Sequence, residues 1–274
     1  MNGVWKQIKN RLVASFIAIA IFLLSLAFYN TLPLLAFLIG TCITLAVNEY
    51  YNLVKEKGFE PVSSLGIVTA ISYLTALYLV VLVPQAKLFP WIILGLSGAA
   101  LFSHFFSTGK NPLINLALTL FPLVYLLIPL GISFWITYDF ANEGPWWLLY
   151  LILMTKITDS GALFFGKLFG KHPLAGYISP KKTWEGAAGG FFATLLASLL
   201  FWRFAPVAIT FGQSLLWAAL LSIAAQFGDL AESLLKRDSG IKDSSRLPGL
   251  GGFLDVMDSL VFTTPLLYLF LLIR

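Results

Sequence analysis

The chain has 274 residues, of which 58% are hydrophobic and 11% charged, with a mean hydropathy of +0.85 and a formal net charge of +5. Soluble domains carry about 25% charged residues, so this composition excludes a water-soluble globule and calls for lipid as the solvent of the excess apolar surface. In a soluble protein the positive charge would suggest nucleic acid; here it fits basic loops that flank membrane spans and meet anionic head groups, and no nucleic-acid partner is expected.

A helix needs roughly 20 apolar residues to cross the hydrocarbon. Nine stretches predict spans: Leu12–Phe28, Leu32–Val54, Val62–Val83, Leu88–Phe106, Leu113–Tyr138, Pro145–Phe165, Trp184–Phe204, Leu215–Leu235 and Phe253–Ile273. The expected class is an all-α polytopic transmembrane bundle. Residues 1–144 are expected to form N-terminal spans and 145–274 a C-terminal catalytic region with two longer loops, within one continuous bundle. The basic segment Trp5–Arg11 precedes a long apolar stretch without a clear small-x-small cleavage site, so it reads as the flank of a retained first span. The single cysteine, Cys42, leaves no intrachain disulfide and no cysteine-based zinc site. No internal repeat is evident.

Counting Lys and Arg in alternate loops gives 14 on one side and 3 on the other, with Lys156 inside a span. The positive-inside rule then makes the N-terminus cytosolic, puts the C-terminus outside, and turns the loops Gly166–Thr183 and Lys236–Gly252 to the cytosol.

Charge inside the spans is confined largely to the C-terminal half. An acid at a helix centre costs about 2.5–3.5 kcal/mol on insertion scales, yet Lys156 and Asp159, Asp229 and Glu232, and Asp255 and Asp258 all lie in apolar runs. Each pair is spaced i,i+3 and so shares a helix face. If the last two helices pack together, up to four carboxylates converge, and such a cluster requires cations. Hard oxygen ligands suit Mg²⁺, which also binds substrate phosphates. The structural alternative is interhelical hydrogen bonding or ion pairing, such as Asp159 with Lys156. For Glu49, alone near the end of its span, a structural role is expected, as it is for His104.

The first loop reads GKLFGKHPLAGYISPKKTWEG. Its lysines, glycines and hydroxyls suit phosphate, although it lacks P-loop order. Thr183 followed by Glu185 suits a helix start; His172 alone is a weak metal candidate. A basic loop resting on lipid head groups fits the composition equally. The second loop, KRDSGIKDSSRLPGLGG, interleaves Lys236, Arg237, Lys242 and Arg246 with glycines between two acid-bearing helices. Bases for polyphosphate beside acids for metal are what phosphoryl and nucleotidyl transfer require.

These residues resemble a family. Ser233–Asp258, SLLKRDSGIKDSSRLPGLGGFLDVMD, is similar to the C-terminal signature of phosphatidate cytidylyltransferases (CDP-diacylglycerol synthases): S-x-x-K-R, four residues, K-D, a short gap, P-x-H-G-G and D-R-x-D. TDSGALFFGKLFGKH and SPKKTWEG resemble its upstream blocks, so the motifs cover Thr158–Leu260. Leu250 stands where the pattern has histidine, Val256 where it has arginine, and the gap between Asp243 and Pro248 is one residue short; Gly251, Gly252, Asp255 and Asp258 are kept. The resemblance implies a membrane enzyme joining CTP to phosphatidate, giving CDP-diacylglycerol and pyrophosphate. It implies metal ligation by Asp229, Asp255 and Asp258 with Glu232 as a further ligand, Mg²⁺ with room for a second cation, and Lys236 as a further catalytic group. Substrate contacts are then expected from Ser179, Lys181, Lys182, Thr183, Trp184, Glu185, Arg237, Lys242, Asp243 and Asp159. It also implies a homodimer in a bacterial-type cytoplasmic membrane. Competing readings are a CTP-dependent lipid-alcohol kinase, a cytidylyltransferase for another lipid phosphate, a cation-coupled transporter, and a catalytically silent homologue.

Overall fold

The computed structural model describes residues 19–30, 33–108, 111–239 and 252–274. Helix α1 covers residues 19–27. It is followed by α2 (Leu34–Glu56), α3 (Ser63–Leu82), α4 (Phe89–Thr108), α5 (Pro112–Pro122), α6 (Ile128–Tyr138) and α7 (Gly144–Phe169). Two short strands, β1 (Pro173–Ala175) and β2 (Ser179–Thr183), precede α8 (Trp184–Phe204), α9 (Phe211–Asp238) and α10 (Phe253–Ile273). Among the described residues, eight helical segments are long and apolar enough to cross a membrane. The protein is a polytopic membrane protein of the all-α class, as expected, with the two short strands confined to one loop. The first half of the expected span Leu12–Phe28 lies outside the described residues.

Helices follow from the solvent. Hydrocarbon offers no partner to a backbone N–H or C=O, so each segment must satisfy its own. The run Pro112–Tyr138 is one apolar stretch interrupted by a π-helical turn at Leu123–Leu127. Pro122 and Pro129 flank that turn; neither can donate to the i−4 carbonyl, and the ladder shifts register around them. Helix α9 starts at a capping box, with the Thr210 side chain accepting from the Gln213 N–H at 3.3 Å and the Thr210 N–H donating to Gln213 Oε1 at 2.9 Å.

Two refinements concern the loops. Helix α7 continues to Phe169 before Gly170 turns extended, so the first loop starts later than the expected Gly166. Within it the strands pair antiparallel, Pro173 with Thr183 and Ala175 with Ser179. Helix α9 runs through Asp238, which puts Lys236 and Arg237 on a helix rather than in a loop.

The chain forms two compact units, Met1–Leu123 with Asp243–Val256, and Val124–Lys242 with Met257–Arg274. In the first, the α2–α3 loop is pinned to α5: the Glu60 N–H donates to Asn115 Oδ1 (3.1 Å) and the Val62 N–H to Thr119 Oγ1 (2.9 Å). The Tyr51 hydroxyl donates to the Thr119 carbonyl at 2.8 Å. Glu49, 7% exposed, accepts the Leu254 N–H at 2.9 Å. Its carboxylate therefore satisfies an otherwise unpaired donor in the first turn of α10, the structural role expected of it.

In the second unit α7 and α8 pack along small residues. Gly186, Gly190, Thr194 and Ser198 recur every fourth position of α8 and are all buried. Thr194 Oγ1 meets Thr158 Oγ1 at 2.6 Å, and Ser198 Oγ meets the Tyr150 hydroxyl at 2.8 Å. Small residues let membrane helices approach closely enough for dispersion and hydroxyl bonds to hold them, since lipid supplies no hydrophobic drive between them. A Cβ on Gly190 would stand 2.5 Å from the Thr158 carbonyl oxygen, an atom that cannot swing away.

Overpacking of this kind costs about 1–3 kcal/mol. Gly190→Val should therefore lower the thermal unfolding midpoint of the detergent-solubilised protein by several degrees, while Gly95→Val, where a Cβ meets nothing within 4 Å, should not. Equal midpoints for the two variants would remove the packing argument.

Candidate active site

The second unit gathers most of the acids and bases singled out above. Helix α9 presents Asp229, Glu232, Ser233 and Lys236 along one face, as their spacing requires. The Lys182 ammonium, delivered by β2, stands 2.8 Å from Asp229 Oδ1 and donates to Ser233 Oγ at 3.2 Å. Alternation along the strand sends Lys182 inward to α9 and leaves its neighbour Lys181 exposed. Arg237 Nε donates to the Ile178 carbonyl at 3.1 Å, a second tie between ribbon and helix. Glu232 is 3% exposed and pairs with Lys236 at 2.7 Å. Burying that carboxylate unpaired would be prohibitive, so the lysine four residues on is its counterion.

Helices α9 and α10 touch at Gly228. A Cβ there would come within 2.6 Å of the Asp258 carbonyl oxygen and 2.8 Å of Ser259 Cα. Glycine thus permits the backbone approach that sets Asp229 beside Asp258. Asp258 is 5% exposed, its carboxylate takes the Ser259 N–H (2.5 Å) and hydroxyl (3.1 Å), and the charges of Asp229, Lys156 and Asp159 act on it. Ser259 also reaches Asp159 Oδ1 at 3.3 Å, while Lys156 pairs with Asp159 at 3.3 Å. Lys156 thus pairs with Asp159, Lys182 with Asp229, and Ser259 links Asp159 to Asp258.

Other predicted residues have different surroundings. Asp255 belongs to the first unit and accepts the Gly252 N–H at 3.2 Å, closing the first turn of α10. Thr183 caps α8 by accepting the Gly186 N–H at 3.2 Å. Trp184 is 61% exposed, and its N–H donates to the His172 carbonyl at 3.0 Å. Ser179 is half-buried in the strand pairing with Ala175. Glu185 meets His172 Nδ1 at 2.5 Å and accepts the N–H groups of Lys171 and His172 at 3.1 and 3.2 Å. Lys242, Asp243 and Leu250 lie outside the described residues. Among the described residues, no three His, Cys, Asp or Glu side chains form a group set to hold a metal ion as they stand.

Sequence reasoning passed over Gly228 and Ser259 as site residues. Both carried a signal: each is directly adjacent to a predicted aspartate, on the element that must approach its partner.

The arrangement can neutralise anionic oxygens with Lys182, which joins the ribbon to α9, and can offer carboxylates to a cation. Residues 9–274 match the family model described as the cytidylyltransferase family. The chain is 35% identical to a phosphatidate cytidylyltransferase of Chlamydia muridarum over 92% of its own length and 89% of the relative's. It is 32% identical to the Staphylococcus aureus (strain COL) protein of that name over 96% and 99%, respectively. The Chlamydia pneumoniae protein of that name is 31% identical over 99% and 94%. A match over nearly the whole length, motifs and spans together, makes this chain an integral membrane enzyme that belongs to the cytidylyltransferase family.

Proposed function

We propose that the protein makes CDP-diacylglycerol and pyrophosphate from CTP and phosphatidate at the membrane surface. A phosphate oxygen of phosphatidate attacks the α-phosphorus of CTP in line. A new P–O bond forms, the bond to the bridging oxygen of the β-phosphate breaks, and pyrophosphate leaves. The attacking oxygen is already anionic, so no general base is required. The observation that carries the reading is the Lys182 ammonium set between Asp229 and Ser233 at the junction of ribbon and helix. Such a cation suits the charge that develops as pyrophosphate departs. The names of the relatives supply the substrates.

The donor set also suits a hard cation. Asp159, Asp229 and Asp258 carry three carboxylates and Lys156 and Lys182 two ammonium groups, which leaves one negative charge to offset within apolar helices. Asp229 and Asp258 would hold Mg²⁺; Asp255 and Glu232 enter the proposed ligand set from the resemblance of the motif alone. When bound, the ion offsets phosphate charge as the leaving group departs. In this reading Lys182, Lys236 and Arg237 bind the polyphosphate, and Ser233 and Ser259 orient the groups they touch. The basic loops and the site face the cytosol, where CTP is found.

Three outcomes are expected. Lys182→Met should lower kcat/KM for labelled CTP by roughly 10²–10³-fold, the usual cost of removing one preorganised charge-stabilising donor; a loss within assay error would overturn the role of this lysine. Asp255→Asn and Asp258→Asn should each abolish Mg²⁺-dependent formation of CDP-lipid, read by product identity, and should weaken binding of Mn²⁺ followed by electron paramagnetic resonance. Full activity in either variant would sink the metal assignment. In a Cys42→Ser background, Tyr177→Cys should react with an impermeant maleimide in inside-out vesicles and Gln85→Cys in right-side-out ones; the reverse pattern would invert the topology.

A further inference from the structure

The resemblance casts Glu185 as a substrate-binding group, but its carboxylate is already engaged. One oxygen meets His172 Nδ1, and the other accepts two successive backbone N–H groups, those of Lys171 and His172. The next bond along the same seam is from the Trp184 N–H to the His172 carbonyl. One residue earlier, Thr183 caps α8 and pairs with Pro173 across the ribbon. Glu185 thus stands in the first turn of α8 and ties down the chain as it leaves α7. That closes the base of the β1–β2 ribbon. Three residues before it, Lys182 leaves the same ribbon for Asp229 and Ser233.

From this geometry we propose that Glu185 is a positioning residue: by clasping Lys171 and His172 it fixes the ribbon so that Lys182 reaches the acid-bearing face of α9. The chemistry explains the residue type. Two adjacent N–H groups outside any regular ladder need an acceptor with several lone pairs, and the start of a helix favours a negative charge beside it. Ionised acceptors make the stronger hydrogen bonds. An ammonium on a four-carbon stem keeps its target only if its backbone is held. Releasing the ribbon base would let Lys182 wander by the ångström or so that matters for a preorganised charge.

This inference rests on the reaction proposed above for its kinetic readout but not for its structural one. The test is full-length protein in lipid nanodiscs, wild type against Glu185→Ala and Glu185→Gln, followed by hydrogen exchange and by CTP kinetics. A glutamine keeps an oxygen acceptor for the two N–H groups, whereas alanine keeps none. In Glu185→Ala, peptides covering Lys171 and His172 should exchange faster while the interior of α8 stays protected. Its kcat should fall by on the order of 10²-fold, the cost of misplacing a catalytic group by about 1 Å, with the KM for CTP changed much less. Glu185→Gln should recover most of that protection and most of that kcat. Loss of activity in Glu185→Gln with protection intact would overturn the proposal, because the charge would then act on substrate directly. Unchanged exchange in Glu185→Ala would overturn it as well. If wild-type protein makes no CDP-lipid, the proposed reaction fails, and the exchange experiment still decides whether the clasp exists.

Discussion

Carboxylates carried by apolar helices must be met by cations or hydrogen-bond donors, and the second unit is arranged around that requirement. Glu232, nearly inaccessible, is matched by Lys236 one helical turn on. Asp229 is matched by a lysine from a different element, Lys182. Asp258 is held by the backbone and hydroxyl of Ser259, and Asp159 by Lys156 and the same serine. Removing one partner of such a pair costs far more than the pair contributes, since the other charge is left in a medium that cannot solvate it. The acids are therefore tolerable only in this packing, and the packing is tied to the acids.

Close helix approach makes those matches geometrically possible. On α8 the small-residue seam lets α7 lie against it, with threonine and serine hydroxyls meeting across the interface. On α9 a single glycine, Gly228, does the same against α10, next to Asp229. Neither contact could be made by the large side chains that dominate the lipid-facing surfaces, such as Phe192, Leu196 and Leu200. Lipid is indifferent to which apolar residue it touches, whereas a protein interface is selective for volume. That difference separates the two kinds of face on the same helix.

The ribbon between α7 and α8 connects the two themes. It is too short to be stable as an isolated hairpin, and it is held instead by its bonds to the helices: Thr183 to the first turn of α8 and Glu185 of α8 to the chain entering β1, with Arg237, Asp229 and Ser233 of α9 along it. A short polar ribbon held in this way carries a lysine to the acid-bearing face of α9.

Much of this was legible in the residues. The hydropathy blocks and their lengths determined the helices from α2 to α10 nearly to their ends, because hydrocarbon admits so few backbone solutions. The i,i+3 spacing of Asp229 and Glu232 determined their common face, and the order of the motifs determined the family. Tertiary structure alone decided the pairings. Lys182 and Ser233 are 51 positions apart, and nothing in a linear pattern says that this lysine, rather than exposed Lys181 beside it, turns to α9. Nor could spacing show that Glu185 spends its carboxylate on the backbone of Lys171 and His172, that Glu49 serves the first turn of α10, or that Gly228 is where two helices touch. Periodicity along one element follows from its own geometry; a partner on another element is chosen only when packing brings the two within a hydrogen bond of each other.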